Sequence, residues 1–550
     1  MMQAMAVVLC AALGIGLADD QPAKAPSAKK VEARKTPTSE VRIDSGPVRG
    51  LIVGEKQDIH AFKGIPYAAP PVGDKRWQPP QPVAAWQQVR DCFEFGAACP
   101  QKVAGLFGRI PELALQVPMK EDCLYLNVWA PAENKGEKLP VLYWIHGGGF
   151  VMGAASQPIY DGEELARLGC VVVSINYRLG PLGFLAHPAL SAESADKISG
   201  NYGLLDQIQG LRWVKKNVAA FGGDPERVTI FGESAGGISV LCLMVTPETR
   251  GLFHGAIAQS ATGMLLPRLR DPHPGVESAE QAGQKLMSAC GLKEEADAGQ
   301  MRKLSVEALL APMPSEMSTG SALHLKPRAM LLGPIVDGHV IPDMPNLIFA
   351  SGHEHEVPLI VGNTKDEMSL MLMGNKMPAD EAAYVKQLQE DFGESADGLA
   401  KAYPVREQKD IRVAVIQLAS DATFIKESRF IARTHATAKQ KTYRYEFAHG
   451  TKQGFLRALG AHHGSELAFV FQRPAGRNDP VDMKLALAMG RYWVNFAASG
   501  NPNGSDLPRW PAYQTDSEET IVFGENVDVA KGPRNAQLDE IEKALPSQNP

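Results

Sequence analysis

Residues 231–237 read FGESAGG and hold the pattern Gly-x-Ser-x-Gly, with Ser234 at its centre. An apolar run precedes the pattern and a helix-like segment follows it. A serine on a tight strand-to-helix turn lifts its hydroxyl clear of a sheet, and the flanking glycines keep its approach open. To act as a nucleophile it needs a base, an acid that orients the base, and N–H donors for the oxyanion. Residues 146–150 read HGGGF and follow the apolar run 139–145. Consecutive glycines let the backbone turn its N–H groups into one small volume. Gly148 and Gly149 are therefore candidate donors, with the N–H of Ala235 as a third.

The base is expected downstream, in the chain order serine, acid, histidine. His435 sits in a helix-like run and His449 follows a strand pattern. His462 and His463 lie in LGAHHGSE, a glycine-flanked loop that suits a mobile imidazole at a sheet edge. On chemistry alone these two adjacent histidines are equivalent. The acid is expected after a strand that precedes them. Residues 358–362 (PLIVG) lead into NTKDEMS, which offers Asp366 and Glu367. Either carboxylate could hold the imidazole tautomer and stabilise its charged form.

The elements that must position these groups follow a regular rhythm. The runs 139–145, 170–175, 228–231, 255–259, 358–362 and 442–447 read as short strands. Leu204, Ile208, Leu211, Val214 and Val218 line one face of a helix over 203–221, which Gly222 and Gly223 close. A second helix is predicted over 235–245, stopped before Pro247, and a third over 483–498. Strand alternating with helix predicts an α/β fold, a mostly parallel sheet covered on both faces. Residues 41–62 predict small antiparallel strands at the N-terminus. Residues 265–332 predict a helical, loop-rich insertion that serves as a lid or substrate wall.

Composition bounds the partners. The chain has 550 residues, 44% hydrophobic and 21% charged, with a net charge of −6, so it carries no global basic signature for nucleic acid. The i, i+2 histidines of His353-Glu354-His355 do not match a zinc-binding HExxH helix, and no metal is expected. Residues 4–17 form a short apolar run ending near Ala18, as in a signal peptide, although no Lys or Arg precedes it. The expected organisation is a signal peptide over 1–18, a flexible Ala/Pro/Lys-rich leader over 19–40 and one domain over 41–545, with the product secreted or periplasmic. No other stretch is long and apolar enough for a membrane helix, and no stable membrane anchor is expected. Of seven cysteines, Cys10 would leave with the signal, and Cys170 and Cys242 read as core residues. A disulfide within Cys92, Cys99 and Cys123 is credible in an exported chain, and Cys290 reads as a free thiol.

Taken together, the chain resembles the type-B carboxylesterase and cholinesterase family of the α/β-hydrolase fold. The matching motifs include FKGIPYAAPPVGDKRWQPP from Phe62, EDCLYLNVW from Glu121, HGGGF, and the dense block 200–237. They continue through GNTKDEMS, HHGSE and WVNFAASGNPNG. The resemblance implies that Ser234 is the nucleophile, His463 the base and Glu367, rather than Asp366, the acid. It implies a disulfide between Cys99 and Cys123 and an accessory role for Glu233 beside the nucleophile. It implies an ester substrate and water, with no cofactor. Adhesion-type members of the family lack the nucleophile, whereas all three triad positions are filled here. The loop between Cys99 and Cys123 has Phe107 as its one aromatic residue, without the tryptophan that stacks on choline in cholinesterases, so choline esters are not expected. Its Leu106, Phe107, Ile110, Leu113 and Leu115 read either as a greasy gorge wall or as simple packing of a loop. Lipases and specialised ester or carbamate hydrolases are the alternatives within the enzyme class.

Overall fold

The computed structural model describes residues 36–102, 110–133, 136–261, 265–273, 276–313, 332–450 and 455–545. The expected signal peptide lies outside them, as does the expected leader up to residue 35. Residues 36–40 do not belong to a leader. They open β1 (Thr36–Ile43), where Thr38 is buried and its hydroxyl accepts the Gly50 N–H at 3.0 Å. Burial in TPTSEVRI is confined to Thr38 and Ile43, with Val41 half-buried, so most of this strand faces solvent.

The antiparallel N-terminal strands β2 (Gly46–Val53), β3 (Ile59–Pro66) and β5 (Tyr125–Pro131) continue directly into the central sheet, and β4 (Arg90–Asp91) pairs with β2. Next come β6 (Leu139–Ile145), β7 (Val171–Ile175), β8 (Gly223–Glu233), β9 (Gly255–Gln259), β10 (Leu359–Thr364) and β11 (Thr442–Phe447). The sheet runs β1-β2-β3-β5-β7-β6-β8-β9-β10-β11-β12-β13, ending in the hairpin β12 (Glu519–Phe523) and β13 (Val527–Lys531). From β7 through β12 every neighbouring pair is parallel. The terminal hairpin is absent from the sequence expectations, because its strands are short and lie in a polar stretch.

Period-two alternation divides the core between the two faces of the sheet. On β6, Val141, Tyr143 and Ile145 enter one apolar cluster, and Leu142 and Trp144 enter the other. Helices α1 (Tyr202–Asn217) and α2 (Ala235–Val245) cover the first face with Leu204, Ile208, Leu211 and Leu241. α1 runs on through a tightened turn, Val218–Phe221, to Gly222 at φ 83°. The expected insertion contains α3 (Ala279–Ala289) and two shorter helices. A second helical block, foreseen from sequence only in the run around His435, separates β10 from β11. In it α4 (Asp410–Ser420) passes through a π-helical turn, Asp421–Ile425, into α5 (Lys426–Thr437). α6 (Pro480–Ser499) covers the second face with Leu485, Met489, Trp493 and Phe496. Each such side chain contributes about 1.5–3 kcal/mol when withdrawn from water.

Parallel pairing has one consequence for chemistry. The C-terminal ends of β6, β8, β9, β10 and β11 share one edge of the sheet, where open α/β folds bind their ligands.

Candidate active site

β8 ends at Glu233, and Ser234 follows with φ 57° and ψ −122°, a backbone state that costs a non-glycine residue about 1–3 kcal/mol. The glycines on either side make this turn possible. A Cβ on Gly232 would lie 2.5 Å from the carbonyl carbon of Gly236, and one on Gly236 would lie 2.1 Å from the carbonyl oxygen of Ile145. α2 therefore starts almost in contact with the end of β6. Ser234 is half-buried while its neighbours in α2 are buried, and it opens into a cavity of about 510 Å³.

β6 ends one residue before the HGGGF loop, and Gly147, Gly148 and Gly149 line the same cavity. Gly148 has φ 109°, and a Cβ there would meet the Met152 carbonyl oxygen at 2.1 Å. The N–H groups of Gly148, Gly149 and Ala235 have no partner among the described residues. The loop is pinned from several sides. The Gln101 amide accepts the Gly153 N–H at 2.8 Å and donates to the Gly153 carbonyl at 2.9 Å. The Tyr177 hydroxyl donates to the His146 carbonyl at 2.8 Å, and its ring stacks on the imidazole. Burial pushes His146 down to about 4, so this imidazole is neutral and donates from Nδ1 to the Gly147 carbonyl.

Glu367 follows β10 and is fully buried. Its Oε1 accepts the Ser260 hydroxyl at 2.6 Å and the Thr364 N–H at 2.7 Å. Its Oε2 accepts His463 Nδ1–H at 2.5 Å. Asp366 turns elsewhere and accepts the Ala461 N–H at 3.1 Å. His462 also lines the cavity, but its Nδ1 donates to the His463 carbonyl. Between two adjacent carboxylates and two adjacent histidines, the geometry joins Glu367 to His463.

The other ring nitrogen of His463, Nε2, lies 3.1 Å from Glu233 Oε1, within Coulomb reach but off the line of a hydrogen bond. Burial opposes a charge on His463, yet Glu233 and Glu367 outweigh it and raise the imidazole to about 9. Burial, joined by repulsion from Glu367, raises Glu233 to about 7 against the attraction of His463. Burial beside Glu233 and Glu367 likewise raises Glu466 to about 8. If His463 is the base, it must be neutral to take a proton, and activity should climb as pH rises through its pKa. Glu233→Gln removes the first of the carboxylates that hold the proton there. We expect it to move the acidic limb of the kcat/KM–pH profile to lower pH, and a limb that stays in place or moves upward contradicts this arrangement.

Two further partners of the site carry no sequence signature, and a third, Glu466, lies within the HHGSE motif. Ser260 supports Glu367 from the end of β9, where position at the catalytic edge is the only clue. Phe424, on the π-helical turn, packs on the His463 ring at a centroid distance of 4.8 Å. Glu466 accepts from Gln259 at 3.2 Å behind the imidazole. The cavity wall meets expectation in one part and departs from it in another. Ile110, Leu113 and Leu115 line it, as the gorge-wall reading of their loop expects, together with Met152, Ile159 and Leu370. None of the described residues of the insertion 265–332 lines it. Leu106 and Phe107 lie outside the described residues. Cys99 and Cys123 are buried, and no bond joins their sulfurs in this structure. A hydrogen bond to Cys99, with burial, pushes Cys123 well up, which places the two sulfurs side by side. Glu354 and His355 diverge, the first to His435 Nδ1 at 2.7 Å and the second to the Thr249 hydroxyl at 2.9 Å. Among the described residues no three His, Cys, Asp or Glu side chains gather as metal ligands, and no helix is long and apolar enough to cross a membrane.

A parallel sheet with a strained serine after one strand and glycine N–H groups after its neighbour defines an α/β-hydrolase. The sequence model of the carboxylesterase family matches residues 37–541. The chain is 37% identical over 495 residues to a fumonisin B1 esterase of Sphingopyxis macrogoltabida, covering 88% of this chain and 86% of that protein. It is 33% identical over 513 residues to the para-nitrobenzyl esterase of Bacillus subtilis (strain 168), covering 90% and 97%. A solved PNB esterase structure superposes with a TM-score of 0.76 at 30% identity, covering 91% of this chain and 99% of that one. The chain belongs to the carboxylesterase family. It is a carboxylic-ester hydrolase.

Proposed function

We propose that the enzyme cleaves its ester through an acyl-enzyme on Ser234. The observation that carries this is the pairing of His463 with the buried Glu367, at a cavity that Ser234 and the glycine loop share. His463 Nε2 takes the Ser234 proton as Oγ forms a bond to the ester carbonyl carbon. The oxyanion meets the N–H groups of Gly148, Gly149 and Ala235. When the intermediate collapses, the carbon–alkoxy bond breaks and His463 gives its proton to the leaving alcohol. Water then attacks the acyl-enzyme as His463 takes its proton, and on collapse the carbon–Oγ bond breaks, His463 returns the proton to Ser234 Oγ and the acid leaves. Glu367 holds Nδ1–H throughout and stabilises the imidazolium, while Glu233 supplies a second negative potential beside the ring.

The relatives named for fumonisin B1 and para-nitrobenzyl esters support a reading of broad alkyl or aryl ester substrates, as does the apolar wall of the cavity. We further propose that Cys99 and Cys123 join as a disulfide in an exported protein, in line with their adjacent sulfurs and the apolar run over 4–17. Rapid mixing with p-nitrophenyl esters of increasing acyl length tests the mechanism. We expect a burst of p-nitrophenol equal to the concentration of Ser234, followed by slower turnover. A burst absent at every chain length and pH, together with no labelling of Ser234 by a phosphonate ester, excludes the mechanism. A rate maximum on long, emulsified acyl chains replaces the substrate reading with that of a lipase.

A further inference from the structure

Most charges that line the cavity are already committed. Glu233 faces His463. Asp482 accepts His449 Nε2–H at 2.7 Å, with both side chains nearly buried. What is left for a substrate is Glu112 and two arginines, Arg473 and Arg477.

The arginines project from a fixed loop. Gln472, at φ 61°, turns the chain after the short helix Leu467–Val470, and its amide donates to the Phe469 carbonyl at 2.7 Å. Pro474 is buried. Gly476 packs against the Asp482 carboxylate, where a Cβ would lie 2.1 Å from Oδ2. The Asp479 N–H then closes on the Gly476 carbonyl at 2.7 Å, and Asp479 caps α6. Arg473 uses one terminal nitrogen on Asp161, at 3.2 Å, and Asp161 Oδ1 also accepts the Glu163 N–H. Its Nε is without a hydrogen bond. Arg477 is exposed and has no partner among the described residues.

A guanidinium presents up to five donors in a planar fork that matches a carboxylate, and it keeps its charge at any working pH. Against a mostly apolar lining, a charge-assisted bond to such a fork is stronger than a neutral one. Asp161 takes one nitrogen of Arg473, so the Arg477 fork and the remaining donors of Arg473 are what the loop can offer. Among the described lining residues a cation would find only the Glu112 carboxylate uncommitted. Resting on the acyl-enzyme reading above, we propose that the preferred substrates are esters bearing a carboxylate on one limb, held by Arg473 and Arg477 while the other limb lies along the apolar wall.

The test compares anionic esters with neutral counterparts of similar length. Monomethyl adipate is paired with methyl hexanoate, and 4-acetoxybutanoate with butyl acetate. Methyl 6-aminohexanoate supplies the cationic case. In one pair we expect the anionic-to-neutral ratio of kcat/KM to fall at least about tenfold in Arg473→Gln/Arg477→Gln, and to fall in the wild type as salt is raised. Arg477→Gln alone, at an exposed position with no ion pair to lose, keeps the result independent of folding and should show part of the fall. Ratios unmoved by both variants, or a preference for the aminohexanoate, overturn the proposal. If the neutral esters are then still cleaved with a burst on Ser234, only the substrate class is lost. If Ser234 neither bursts nor is labelled, the mechanism beneath it fails as well.

Discussion

Ser234→Ala should lower kcat for p-nitrophenyl butyrate by on the order of 10⁵–10⁶-fold, the scale on which loss of a serine nucleophile is felt. What survives should be the small rate that the oxyanion donors and substrate binding supply by themselves. The burst should vanish, and a phosphonate ester should no longer label the protein. Folding should persist, because among the described residues Oγ makes no hydrogen bond that holds the turn together. There, the Ser234 N–H donates to the Gln259 carbonyl at 2.9 Å and the Ile238 N–H to the Ser234 carbonyl at 2.9 Å, both through the backbone. The strain at φ 57° adds a second readout. Alanine inherits it and glycine does not, so Ser234→Gly should melt at a higher temperature than Ser234→Ala although both are inert. Activity within tenfold of wild type in Ser234→Ala would remove the serine from the mechanism.

Glu367→Gln should reduce kcat by about 10³–10⁴-fold with KM changed far less, as when a triad carboxylate is replaced by its amide. Glutamine keeps the volume, but it meets three donors: the Ser260 hydroxyl, the Thr364 N–H and His463 Nδ1–H. Its NH₂ must face one of them, and the imidazole is then held in the wrong tautomer or left without a partner. The acidic limb of the pH profile should also move down, because Glu367 is one of the anions that raise His463. Asp366→Asn is the control. Asp366 serves only the Ala461 N–H among its described side-chain contacts, and asparagine can still accept that bond. A larger loss from Asp366→Asn than from Glu367→Gln would reverse the assignment.

How much of this is legible in the sequence depends on how local each signal is. The strand rhythm, the glycine-flanked Ser234 and the HGGGF loop are written in contiguous residues, because a tight turn needs glycine at particular neighbours. The choice of Glu367 over Asp366, or His463 over His462, is not local. Adjacent side chains point different ways, and only the packing of β10 against β11 decides which one faces which, so the resemblance to a family was needed to separate them. Ser260 and Phe424 are still less visible, since each acts through space from another element. Of the two wall candidates legible in the sequence, the loop residues Ile110, Leu113 and Leu115 line the cavity and the described residues of the insertion 265–332 do not. Met152, Ile159 and Leu370 join them from segments that emerge at the same sheet edge, a property of strand order.

That strand order also fixes a timetable. Gly148, Ser234, Glu367 and His463 enter the polypeptide in that sequence, and the base arrives last, after β11. Domains generally fold as units. The nucleophile elbow and the glycine loop therefore gain their proposed base only when the last parallel strands close the edge of the sheet.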